Sequence, residues 1–199
     1  YIGPQAFRNC AGLYGELHLP DKLERLGDLA FYECKNLTGS LTIPQSLTTI
    51  DISTFSGCGF NGTLTLHDGI KTIGAGAFEN THMKGDLVLP KELTSIGDNA
   101  FNGCDFSGTL VLPKHIVSIG RNSFAYNWRL MGTLEFPEGI ESIGAGAFAN
   151  CRSIEGLVFP ESLENICYEP TWGDNGGAFA NCYGINSIVC KGTMPAYVQ

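Results

Sequence analysis

Gly85-Asp86-Leu87-Val88-Leu89-Pro90-Lys91-Glu92-Leu93-Thr94-Ser95-Ile96-Gly97-Asp98-Asn99-Ala100-Phe101-Asn102-Gly103-Cys104-Asp105-Phe106-Ser107 is one unit of a repeat that runs the length of this chain. Its phenylalanine recurs as Phe7, Phe31, Phe55, Phe78, Phe124, Phe148 and Phe179, at nearly constant intervals up to a longer last one. A period in the twenties marks a solenoid, in which each unit is one coil stacked on the last. The spacing predicts a single β-rich domain over residues 1–199, built from about eight stacked coils of roughly 23–24 residues each. Coils that touch only their neighbours make long regular surfaces, which suit binding better than catalysis.

Within the unit, the alternation Leu87-Val88-Leu89 predicts a short strand with both leucines facing inward. The equivalent pairs are Leu17/Leu19, Leu41/Ile43, Leu64/Leu66, Leu110/Leu112, Leu134/Phe136, Leu157/Phe159 and Ile188/Cys190. Pro90 recurs as Pro20, Pro44, Pro113, Pro137 and Pro160, where the missing N–H ends a ladder. A second apolar step follows, for example Leu93/Ile96 and Ile116/Ile119. The residue before its second member is Thr49, Thr72, Ser95, Ser118 or Ser142, read here as a hydroxyl column serving backbone groups at a corner. Glycine follows as Gly27, Gly74, Gly97, Gly120 and Gly144, for a positive φ or for close approach to a neighbour. The phenylalanine then anchors a core that no single coil could bury.

Composition narrows the function. Net charge is −8 and the pI about 4.9, which disfavours nucleic acid and anionic membrane surfaces as partners. No apolar run is long enough to span a membrane as a helix. Tyr1-Ile2-Gly3 matches Ser95-Ile96-Gly97, so the chain starts mid-repeat and sequence is expected upstream of it.

The run Leu-x-x-Ile-Gly-x-x-Ala-Phe-x-x-Cys-x-x-Leu-x-Gly-x-Leu-x-Leu-Pro, carried most fully by residues 93–113 and 140–160, resembles the BspA-type (Treponema-type) leucine-rich repeat. The ending Ile188 to Pro195 resembles the closing coil of such domains, placing that coil at 179–199. The resemblance implies a right-handed, curved leucine-rich-repeat solenoid on secreted or surface proteins, mostly of gut and oral bacteria. It also implies roles in adhesion, host-matrix binding and coaggregation. It brings no catalytic residues and no cofactor.

Six of the eight cysteines (Cys10, Cys34, Cys58, Cys104, Cys151 and Cys182) stand three places after the repeat phenylalanine. Stacked Cα atoms fall within disulfide range, but side chains in register point the same way. Thr81 and Asn127 occupy the same slot, so it is read as one for small, weakly polar groups and the six as free thiols. Cys167 and Cys190 lie outside the ladder, where a bridge is the alternative to two more thiols. No Cys-x-x-Cys spacing suggests zinc. His18, His67, His82 and His115 fall at four different repeat positions and form no constellation. No nucleophile–base pair or phosphate loop is visible, so no enzyme is expected.

The irregularity is an insertion over 167–177. The step from Ile166 to Phe179 is much longer than the equivalent step from Ile143 to Phe148. Insertions in solenoids emerge as loops on one face, often the binding face. Tyr168, Trp172 and Asp174 are therefore candidate binding residues. Asp174-Asn175-Gly176 resembles part of a calcium loop but lacks a full ligand set. Tyr126 and Trp128, with Arg129, form a second candidate cluster in the turn after Phe124. The leading reading is a non-enzymatic surface or secreted module binding a protein through its sheet face or irregular coils. The alternative is a glycan binder that stacks sugars on Trp128, Trp172 and neighbouring tyrosines.

Overall fold

The computed structural model describes residues 1–163, 166 and 176–192. Three stretches of each coil bond to the coils on either side. The first is the Leu-x-x-Ile step: β2 (Thr49–Ile50), β4 (Thr72–Ile73), β6 (Ser95–Ile96), β8 (Ser118–Ile119) and β10 (Ser142–Ile143) make a five-stranded parallel sheet. The Thr/Ser column is thus part of a backbone ladder, not a corner held by hydroxyls. Main-chain groups are bonded by the neighbouring coil, so the isoleucines turn inward and the hydroxyl side chains outward.

The second stretch is the phenylalanine turn. Alternate N–H groups bond along the stack, as in Asn99 to Arg121, Phe101 to Ser123 and Gly103 to Ala125. The N–H groups between them close turns within the coil, as in Ala100 to Gly97 and Asn102 to Asn99. This alternation needs left-handed backbone two places before and two after the phenylalanine. Asn99 (φ 55), Asn122 (φ 47), Asn80 (φ 52), Asn150 (φ 63) and Gly103 (φ 68) supply it. The expected glycine column has the other of its two suggested causes, close approach. A Cβ on Gly97 would lie 2.4 Å from Ala75 N, and one on Gly120 2.5 Å from Asp98 N.

The third stretch carries β5 (Lys84–Asp86), β7 (Asp105–Thr109), β9 (Arg129–Glu135), β11 (Ser153–Phe159) and β12 (Ser187–Cys190), in the parallel order β12-β11-β9-β7-β5. In the earlier coils β1 (Leu41–Thr42) pairs with β3 (Leu64–Thr65). The strand expected at Leu87-Val88-Leu89 lies just before those residues, over Lys84–Asp86. There Gly85 faces Phe106, and in the next pair Gly108 faces Leu130, offset by two from repeat equivalence. An even offset keeps every side chain on its own face, so Leu87 and Leu89 are still buried.

Eight phenylalanine rings stack through the centre, each 5.1–5.8 Å from the next and within 17° of parallel. The rings from Phe31 to Phe148 are buried, while Phe7 at one end is partly exposed. Ile188, expected inward, is 49% exposed; among the described residues β12 is the outermost strand of its sheet and pairs with β11 alone.

The thiol column runs beside the rings, and its cysteines are free and mostly buried. The Sγ of Cys34, Cys58, Cys104, Cys151 and Cys182 donates to the carbonyl of the phenylalanine one coil back, at 2.9–3.3 Å. Asn127 Nδ2 donates to Phe101 in the same way at 2.8 Å. The slot therefore selects a small donor that adds a side-chain hydrogen bond to a phenylalanine carbonyl, most of which already accept a turn N–H, as Phe31 does from Cys34 at 3.2 Å.

Candidate functional site

With both flanks of each inner strand used in stacking, the outward side chains there are what a partner can meet. On the third stretch Thr42, Thr65, Val88, Val111 and Glu135 stand between inward residues and face solvent. Val88 and Val111, on consecutive coils, are 69% and 72% exposed. A groove of about 410 Å³ lies over them, lined by Leu87, Leu89, Lys91, Pro113 and Lys114 among others. A second groove of about 380 Å³ shares Thr109, Val111 and Lys114 and runs on to Glu135, Glu138 and Lys191. Together they make one trough across the sheet.

Charges frame this trough and pair with one another. Lys91 Nζ meets Asp68 Oδ2 at 2.6 Å, and that hydrogen bond holds the Asp68 carboxyl below its ordinary range and raises the lysine. Lys191 Nζ meets Glu135 Oε1 at 3.0 Å. The Ser162 hydroxyl, hydrogen-bonding to Glu138, lowers that carboxyl. The floor is apolar and the rim polar, the anatomy of a protein-binding patch. Among the described residues, no group of three or more His, Cys, Asp or Glu is placed to hold a metal ion. Among the same residues, no helix is long and apolar enough to cross a membrane.

The sequence-derived site residues divide into two sets. Tyr168, Trp172 and Asp174 lie outside the described residues. Tyr126 and Trp128 stand in the turn that leads into β9, 42% and 57% exposed. Tyr126 holds a left-handed backbone (φ 62), an uncommon state for a bulky residue. Its place two residues past the repeat phenylalanine, where Glu33, Asn80, Gly103 and Asn150 are also left-handed, explains that conformation.

Sequence reasoning missed two residues that share the repeat position of Trp128. Four places past Phe148 and Phe179 stand Arg152 and Tyr183, equivalent to Trp128 four past Phe124. Arg152 is exposed, and its guanidinium lies 5.8 Å from the centre of the Tyr183 ring, which is 75% exposed. Ser153 Oγ, at the start of β11 and next to Arg152, donates to the Trp128 carbonyl at 2.9 Å. The repeat register was the available signal, but the insertion between Phe148 and Phe179 hides it.

The model for the BspA type leucine rich repeat region (6 copies) matches residues 1–107 and 83–196. No curated protein sequence matches this chain. The fold resembles a leucine-rich repeat protein from Bacteroides ovatus, with 25% identity over 94% of this chain and a TM-score of 0.58. The present chain spans only 40% of that protein's length. A leucine rich cell surface protein from Faecalibacterium prausnitzii aligns at 19% identity, over 96% of this chain and 69% of that one, with a TM-score of 0.46. The coil-to-coil ladders, the ring stack and the family match over nearly the whole length together place this chain in the BspA-type leucine-rich-repeat family.

Proposed function

We propose that this chain is a non-enzymatic interaction module, secreted or displayed on a cell, that takes a protein partner on the outward face of its third sheet. The supporting observation is the apolar trough centred on Val88 and Val111. Leucine-rich-repeat scaffolds generally serve protein interactions, and the family match supports that coarse reading here. Adhesion to a host-matrix or other cell-surface protein is the finer reading. Surface location rests on the family resemblance. The net charge of −8 favours a protein over a nucleic acid.

The test compares three forms of the chain on host-matrix proteins and on surface extracts of co-resident bacteria. A Val88→Asp/Val111→Asp variant places two charges on the floor of the trough without touching the core. A retained partner should lose about 2 kcal/mol or more of binding to it, as at a hot spot. Deletion of residues 168–175 probes the rival docking point at Tyr168, Trp172 and Asp174. Binding that survives the charged variant but fails on the deletion would move the site to the insertion.

A further inference from the structure

Across the last three coils, the position four places past the repeat phenylalanine is filled by Trp128, Arg152 and Tyr183. Both aromatic side chains are more than half exposed, and the Arg152 guanidinium sits over the Tyr183 ring at 5.8 Å. With one coil every ~4.8 Å, the two rings lie roughly 10 Å apart with a planar cation between them. That is about the length of a disaccharide.

We infer that this ribbon binds a carbohydrate chain, distinct from and independent of the protein site on the sheet face. An extended oligosaccharide of three or more units lies along the stack. Its outer sugars stack on Trp128 and Tyr183, and Arg152 donates hydrogen bonds to the hydroxyls of the middle one. A pyranose offers a flat C–H face and a rim of hydroxyls, so it is met by an aromatic ring with polar groups beside it. Exposed Glu155, Asn186 and Ser187, and half-exposed Ser153, supply those polar groups on and just before β11 and β12. A protein hot spot built from the same residue types would sit at the centre of a packed patch whose rim excludes water. Here Trp128, Arg152 and Tyr183 follow one column along the stack, with Ser153, Glu155, Asn186 and Ser187 beside it and Met131 as a further exposed apolar contact, which suits a linear ligand.

The experiment is calorimetry and affinity electrophoresis of this chain with neutral β-linked glucose and N-acetylglucosamine oligomers of two to six units. At least one series should bind, with trimers and longer chains about tenfold or more tighter than the dimer. Trp128→Ala and Tyr183→Ala should each weaken that binding about tenfold or more. Arg152→Ala should weaken it severalfold, with unchanged melting temperatures showing that the variants remain folded. Val88→Asp/Val111→Asp should leave sugar binding intact, which separates this site from the sheet face. The inference is overturned if no oligomer binds, or if binding ignores Trp128→Ala and Tyr183→Ala. It is equally overturned if those substitutions abolish capture of a protein while no sugar binds.

Discussion

The repeat phenylalanine and the residue four places after it sit close together in every coil, yet they obey opposite rules. The first is phenylalanine eight times over and forms a continuous stack of rings. The second reads Ala11, Lys35, Gly59, His82, Asp105, Trp128, Arg152 and Tyr183. A ring in the stack must fit the ring above and the ring below, so a change in one coil is felt in three. The outward position meets solvent on one side and differs from coil to coil, except that at Gly59 a side chain would meet the Lys35 carbonyl of the previous coil. In a solenoid the repeated columns hold the fold, and the columns that fail to repeat are where specificity can reside.

The largest effect should come from breaking the stack. Phe101 is fully buried between Phe78 and Phe124, and Phe101→Ala should cost roughly 3–5 kcal/mol in denaturant unfolding. Phe7→Ala, at the partly exposed end of the same stack, should cost clearly less. Equal losses would mean that the stack is not the cooperative unit described here.

A smaller loss should follow from Gly97→Ala. The added carbon would meet the backbone of the previous coil at 2.4 Å, and overpacking of that kind costs about 1–3 kcal/mol. If the substitution proved neutral, the glycine would be serving conformation rather than close approach.

The thiol column gives a third comparison. Cys58→Ala would remove one of two hydrogen bonds to the buried Phe31 carbonyl, the one at 3.0 Å, and leave that from the Cys34 N–H, at about 0.5–1.5 kcal/mol. Cys58→Ser keeps a donor and should recover most of that loss. Burial also pushes the Cys104 thiol from its ordinary 9.0 up to about 12 and Cys182 up to about 11. The folded state thus favours the protonated thiol. Its contribution to stability is full below pH 9 and is lost between pH 9 and about 12, as thiols ionise in the unfolded chain. Urea midpoints should therefore fall above pH 9, and Cys104→Thr, which copies Thr81 in the same slot, should flatten the fall. A profile unchanged by that substitution would remove the thiols from the account.

The smallest effect is expected in the variable column. Trp128→Ala should change stability by less than about 0.5 kcal/mol, because its side chain is more than half exposed. Loss comparable to Phe101→Ala would show that this column is structural after all.

The sequence alone determined the architecture. A phenylalanine recurring at a nearly constant interval, with leucine and isoleucine at fixed offsets from it, specifies the same inward set in each coil. Only stacking could bury those sets together. The slot shared by Cys34, Thr81 and Asn127 was legible as small and weakly polar, but the phenylalanine carbonyl one coil back to which Cys34 and Asn127 donate was not. The same holds for the glycines, whose neighbour lies in another coil. The outward ribbon was half visible: Trp128 could be read as an exposed aromatic, but its companions could not. Arg152 and Tyr183 are far apart in sequence, with the whole insertion between them, and the coil stacking brings them to 5.8 Å. Burial patterns are local and periodic, so a sequence displays them. Which surface residues become neighbours depends on how coils stack across an insertion, and that was decided by the tertiary structure.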